Sequence, residues 1–283
     1  MRTIKQVFRG VNTQDGAGVS IRRVIGSHFV REIDPFLLLD ELHSDNPDDY
    51  IAGFPPHPHR GFETITYMLQ GLIRHKDSLG NEGLVGSGGV QWMHAGRGII
   101  HSEIPEQADG LLWGFQIWLN LPASDKMTAA THRDISVEEI PQLHLKPGVE
   151  VRLIAGTGPN GERGPLVRDD IQATLLDVKL AANATFSWPV PDEQTLLLYV
   201  YDGELFTKHA SYPYGNLLQY ARGNASAGNW QVQAGENGAG VLLLAATPIN
   251  EPIVRAGPFV MNTETELRQA IDDYQTGRLA EPA

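Results

Sequence analysis

Four residues of the 283-residue chain stand in two pairs whose types and spacing suit metal chemistry. His57 and His59 lie one residue apart in FPPHPHRGFETITYMLQG, and His101 and Glu103 repeat that separation in WMHAGRGIIHSE. An extended chain turns residues i and i+2 to one face, so each stretch offers two ligand-type side chains pointing the same way. Pro58 supports this, because the residue before a proline is pushed to the extended region and proline fixes its own φ. Imidazole and carboxylate suit iron, zinc, manganese, nickel, copper or cobalt, and ligand softness does not choose among them. Three histidines and one carboxylate leave up to two positions of an octahedral ion open to substrate or O2, which separates a catalytic site from a closed structural one. Glu63 shares the parity of the histidine pair in HxHxxxE, so in an uninterrupted strand it would face the same way. Spacing alone leaves the carboxylate open between Glu63 and Glu103.

The elements that must carry these residues read as strands. Thr64–Leu69 alternates β-branched and aromatic residues, and after a turn at Gly71 the stretch Leu72–Lys76 returns. SLGNEG marks a turn, Val90–Met93 is a further short strand, and Leu111–Leu119 is a long one carrying Trp113, Phe115 and Trp118. Short strands, close turns and no helical period predict a sandwich or barrel. Prolines and charges mix at 121–147, the expected domain connection. A second strand series follows at Val149–Ala155, Leu175–Leu180, Leu196–Val200 and Val241–Ala246, without HxH or HxE, and with His209 alone. We therefore divide the chain into residues 1–135, carrying the metal ligands, and 136–283, without them. In MNTETELRQAIDDYQTG, Thr263 and Glu266 form a capping-box pattern, Leu267, Ala270, Ile271 and Tyr274 recur at helical spacing, and Gly277 can end the helix. One amphipathic helix is expected at 263–276, packed on a barrel.

Composition bounds the function classes. A net charge of −12 without a basic run argues against direct nucleic-acid binding, which rests on neutralising phosphates. The absence of cysteine removes disulfides and thiolate ligands and suits a reducing, cytoplasmic setting. Apolar runs such as VLLLAA at 241–246 fall far short of the roughly 18 residues of a membrane helix.

HPHRGFETITYMLQG followed by QWMHAGRGIIHSE, with RRVIG and DPFLLLDE at 22–41 and GPFVMNTETE near the end, resembles the pirin family of the cupin superfamily over nearly the whole length. The resemblance implies an all-β bicupin, two stacked jelly-roll-like barrels with a C-terminal helix and metal in the N-terminal barrel alone. It implies His57, His59, His101 and Glu103 as ligands of one divalent transition metal, iron first. Glu63 occupies the glutamate position of the common cupin motif and becomes a supporting or substitute ligand. The usual H-x-x-x-N ending is replaced by Pro105, which favours Glu103.

Two functions follow from the resemblance. One is a quercetin 2,3-dioxygenase-type oxidoreductase, with a small flavonol-like aromatic substrate, O2, and Glu103 as the catalytic base. The other is an iron-binding regulator that contacts a transcription factor or metabolic enzyme as a protein partner. A zinc or manganese isomerase or hydrolase is a weaker third, with Arg60, Arg74 and Arg97 near in sequence. Phe54, Phe62, Trp92, Met93 and Trp113 are candidates for an aromatic pocket, and His94 and Arg97 for orienting ligands or substrate. The resemblance implies a monomer.

Overall fold

The computed structural model describes residues 2–208, 210–222 and 230–280. The strands run β1 Ile4–Arg9, β2 Val11–Asp15, β3 Val19–Ile25, β4 Phe36–Ser44, β5 Phe54–His59, β6 Phe62–Gln70, β7 Leu72–Asp77 and β8 Glu82–Gly86. They continue as β9 Val90–His94, β10 Ile99–Pro105, β11 Leu112–Asn120, β12 Thr131–Ile135, β13 Gln142–Lys146, β14 Val149–Ala155, β15 Thr174–Leu180 and β16 Thr185–Phe186. The last are β17 Thr195–Phe206, β18 Ser211–Pro213, β19 Asn216–Tyr220, β20 Val232–Ala246, β21 Val254–Ala256 and β22 Phe259–Met261, before the helix α1 Glu264–Gln275. The all-β architecture with one C-terminal helix is the expected one.

Two compact units divide the chain, Val11–Val137 with Ile249–Ala283, and Met1–Gly10 with Glu138–Pro248. The internal junction lies close to the expected 135/136, but both ends differ from a simple N-terminal and C-terminal split. β1 pairs with β19 in the second unit, while β21, β22 and α1 belong to the first. Composition and periodicity mark where an element begins and ends; they do not say which of two apolar cores its face joins.

The first unit holds a seven-stranded sheet in the order β12-β9-β6-β11-β4-β3-β2 and a four-stranded sheet β5-β10-β7-β8. The second holds a sheet built on β1-β19-β17-β20-β15-β14-β13 around the apolar runs of β17 and β20, which are buried nearly throughout. That burial explains their continuous apolar sequence, since a strand covered on both faces needs no polar alternation. No helix among the described residues is long and apolar enough to cross a membrane.

α1 carries the capping box read from the sequence: the Thr263 hydroxyl accepts from the Glu266 amide, and the Glu266 carboxylate accepts from the Thr263 amide. Gly277 follows it with φ +79°, the left-handed geometry that favours glycine after a helix. Leu267 and Ala270 pack with Phe259, Met261 and Leu279, and Asp273 accepts from the buried Arg60 guanidinium at 2.8 Å.

Arg60 and Gly61 form the break between β5 and β6. Gly61 has φ +89°, and a Cβ there would stand 1.9 Å from the Val260 carbonyl oxygen, so no side chain fits. β22 closes on this break: the Val260 amide donates to the Arg60 carbonyl at 3.0 Å. Lys126 finishes it, its buried ammonium donating to the Gly61 carbonyl at 2.7 Å, the Asn120 side-chain oxygen at 2.7 Å and the Val260 carbonyl at 3.1 Å.

Candidate metal centre

β5 and β10 are antiparallel neighbours, and their register sets His101 beside His57 and Ile99 beside His59. The two histidine-bearing stretches therefore meet across one strand pair. His57, His59 and His101 each offer a ligand atom within 4.8 Å of the others. Their ring centres lie 4.4 to 4.8 Å apart. Among the described residues this is the one such group; His209 lies outside them.

Hydrogen bonding leaves lone pairs free. His57 Nδ1 lies 2.8 Å from the Pro55 carbonyl, which only accepts, so Nδ1 carries the proton and Nε2 is open. Both nitrogens of His59 and Nε2 of His101 are buried without a hydrogen bond. The Pro258 carbonyl bears on the His59 ring but does not reach hydrogen-bond geometry. Burial, then the neighbouring imidazoles, pulls His59 and His101 well below their ordinary pKa, so both are held neutral, the form that binds a cation. Three converging imidazoles, two of them with buried nitrogens left unpaired, fit a transition metal, because an orphaned buried polar atom carries a desolvation penalty that a metal bond would relieve.

A second row orients His101. His75 Nε2 stands 3.3 Å from Asp77, and His75 Nδ1 stands 3.4 Å from His101 Nδ1. Burial alone would push the Asp77 carboxyl up, but the Asn81 side chain and amide, His75 and the Leu79 amide outweigh it and hold it below its ordinary value. The Nε2–H of His75 donates to an ionised Asp77, His75 Nδ1 then accepts from His101 Nδ1, and His101 Nε2 is left open. His132 stacks flat on His75 at 4.5 Å. Nothing in the spacing of LIRHKD marked His75. His75→Leu is expected to weaken metal binding about 10- to 100-fold while the fold stands, as measured by competition with a chelator of known affinity.

Glu103 is not in the histidine group. It lines the same cavity and is nearly buried. The Thr66 hydroxyl sits 2.7 Å from Glu103 Oε1 and 2.6 Å from the Gln116 side-chain oxygen, and Gln116 Nε2 sits 3.4 Å from Glu103 Oε2. Thr66 has one proton for two acceptors, and a Gln116 amide turned over would donate to Thr66 and leave that proton to Glu103.

Glu63 and His94 stand elsewhere. The break at Gly61 puts Glu63 on β6 in the other sheet, where it pairs in register with His94, so the HxHxxxE parity is lost. His94 Nδ1 contacts Glu63 at 2.8 Å and its Nε2 contacts Thr128 at 2.8 Å. The Arg97 carbonyl accepts from Arg60.

The cavity beside the histidines has a volume of about 510 Å³. Of the five candidates for an aromatic pocket only Phe54 lines it. Phe62 packs with Leu37 and Val260, Met93 is core with Ala95 and Ile99, and Trp113 stacks on His43 and donates to Glu41. Trp92 is half-buried and lies outside the cavity lining. The aromatic wall is Trp118, whose ring centre lies 5.1 Å from that of His59. Gln116 and Trp118 share a parity on β11 and both line the cavity, so the glutamine interrupting an apolar strand was a usable signal. Arg23 and Asp40 also line it. Arg23 bonds both Asp40 oxygens at 3.0 and 2.7 Å, and burial pushes the Asp40 carboxyl up to about 6 against that pull.

The match to known proteins is strong at full length. The family model described as Pirin matches residues 18–119, and that of the Pirin C-terminal cupin domain matches 175–280. A Pseudomonas aeruginosa protein provisionally named a quercetin 2,3-dioxygenase is 46% identical over 282 residues, covering 99% of this chain and 98% of that one. The chain belongs to the pirin family. A pirin-like protein of Caulobacter vibrioides is 44% identical, with 98% of this chain and 99% of that one covered. Among solved structures, a quercetin 2,3-dioxygenase from Acinetobacter baumannii superposes with a TM-score of 0.90 at 30% identity, covering 99% of each chain. The family's bicupin fold, expected from its motifs, is the fold of this chain.

Proposed function

We propose that this chain is a metal-dependent dioxygenase that opens a hydroxylated, flavonol-like aromatic ring with O2, with iron as the metal. The observation that carries the reading is the convergence of His57, His59 and His101, with buried nitrogens of His59 and His101 left without a hydrogen bond, beside a cavity large enough for a small aromatic molecule. The names of the Pseudomonas and Acinetobacter proteins support the same chemistry.

When bound, the metal would supply Lewis acidity toward a substrate hydroxyl and redox activity toward O2. The three histidines would hold it, with Glu103 as the fourth ligand when its carboxylate turns from Thr66. Glu103 is also the group to take the proton of the substrate hydroxyl, being a carboxylate in the wall of the cavity that His57 and His59 also line. Thr66 and Gln116 position that carboxylate. Trp118, Phe54 and Ile73 exclude water from the ring.

Purified iron-loaded protein is expected to consume O2 with quercetin. Glu103→Gln keeps the hydrogen-bonding shape but removes the base, and is expected to lower turnover about 100-fold with the three histidines intact. A fully iron-loaded protein that consumes no O2 with quercetin or with simpler hydroxylated aromatics would overturn the dioxygenase reading.

A further inference from the structure

The cavity has two guanidiniums, and they are not alike. Arg23 is committed: besides Asp40 it reaches Asp15 at 2.5 Å. Arg255, on β21, bonds only carbonyl oxygens, Nε to Gly257 and one terminal nitrogen to Leu37, each at 3.2 Å. A guanidinium has five N–H donors, so three remain, and no carboxylate of the described residues lies in ion-pair contact with it. Its carbon sits 4.7 Å from the centre of the Trp118 ring, and Trp118 in turn contacts His59 edge to face. One indole is all that separates the guanidinium from a metal-facing imidazole.

The charge balance of the wall points the same way. Its charged residues are Asp15, Asp40, Glu103, Arg23 and Arg255, one net negative charge that a divalent ion turns into one net positive. Burial works against the charge on Arg255, followed by repulsion from Arg23, which Asp40 and Glu32 counter only in part, and an incoming anion would offset both. The planar fork, held over an indole with donors to spare, matches a carboxylate held by two parallel bonds.

We infer that the substrate is an aromatic acid, its ring hydroxyl addressed to the histidine cluster and its carboxylate received by Arg255. This rests on the reading of that cluster as a metal site for hydroxylated aromatics, and narrows the substrate from neutral rings to carboxylate-bearing ones.

The test is calorimetric titration of the zinc-loaded protein, which cannot turn over, with 3,4-dihydroxybenzoate and with its methyl ester. The wild-type protein is expected to bind the acid about 10-fold more tightly than the ester. Arg255→Gln should abolish that preference by weakening the acid far more than the ester, and Arg255→Lys should keep part of it, because the charge survives without the fork. A wild-type ratio near one overturns the inference, whatever the variants do. So does a ratio that persists in Arg255→Gln with zinc content and melting temperature unchanged, since the carboxylate then goes to the metal or to Arg23. An iron form inert toward O2 that keeps the ratio overturns the dioxygenase reading alone; an active iron form with a ratio of one overturns this inference alone.

Discussion

His101→Ala is expected to purify as a folded protein with almost no metal. His101 is 1% exposed, sits beside His57 across the β5–β10 ladder, and presents an unbonded Nε2. Its removal takes one of three imidazoles and unhooks the row that runs back through His75 to Asp77. Loss of a supporting residue costs about 10- to 100-fold in metal affinity, so loss of the ligand itself should exceed 100-fold. The fold should survive, because β10 keeps its backbone pairing with β5 and β7 and the residue removed was itself an unsatisfied buried polar group. Elemental analysis of protein purified without added metal reads the stoichiometry, and circular dichroism reads the fold. Wild-type metal content in the variant would show that the cluster is not the metal site.

Lys126→Met should cost stability, with a signature in pH. The ammonium is 1% exposed and ties three acceptors around the β5–β6 break. Methionine fills the volume but strands those oxygens, at about 3 kcal/mol for charge-assisted bonds lost in the interior. That corresponds to a melting point lower by roughly 6 to 12 °C. Burial pulls the Lys126 pKa down to about 8, against the favourable charges of Glu251 and Glu266. From there up to the ordinary value of 10.5 the unfolded chain keeps a proton that the folded one has released. Folding is therefore favoured by rising pH across that window. The variant lacks this gain, so the gap between wild type and variant should widen between pH 7.5 and 10 by about 2 kcal/mol. Urea denaturation at both pH values measures it, and a gap that narrows would contradict the assigned burial.

Much of this was legible because strands and caps are local. Alternating β-branched and aromatic residues located β6, turn signals and short apolar runs located β7, β9 and β11, and the capping box located α1. The meeting of His57, His59 and His101 follows from equally local geometry, since i and i+2 share a face and β5 pairs with β10, whereas Glu103, past a register shift, stands outside their group. What escaped depends on long-range contact. Glu63 fails to follow the histidines because the chain turns into another sheet at Gly61, where φ is +89° and the nearby Val260 carbonyl leaves no room for a side chain. His75 matters through a neighbour 26 positions away, and Arg255 through a ring on β11. Trp92, Met93 and Trp113 were sensible candidates by proximity, yet none of them lines the cavity, and proximity along a strand says little about its two faces.

Because β21, β22 and α1 belong to the same unit as the histidines, order of synthesis matters. His57 to His101 emerge from the ribosome while Glu138–Pro248, the bulk of the second unit, is still unmade. At roughly 5–20 residues per second, the delay before Val260 follows is on the order of ten seconds or more. During that interval the nascent unit lacks Arg255 in its cavity wall and the Val260 carbonyl that Lys126 binds. The cavity is complete only once the chain has passed through the other unit and returned, so its final shape is a property of the finished polypeptide.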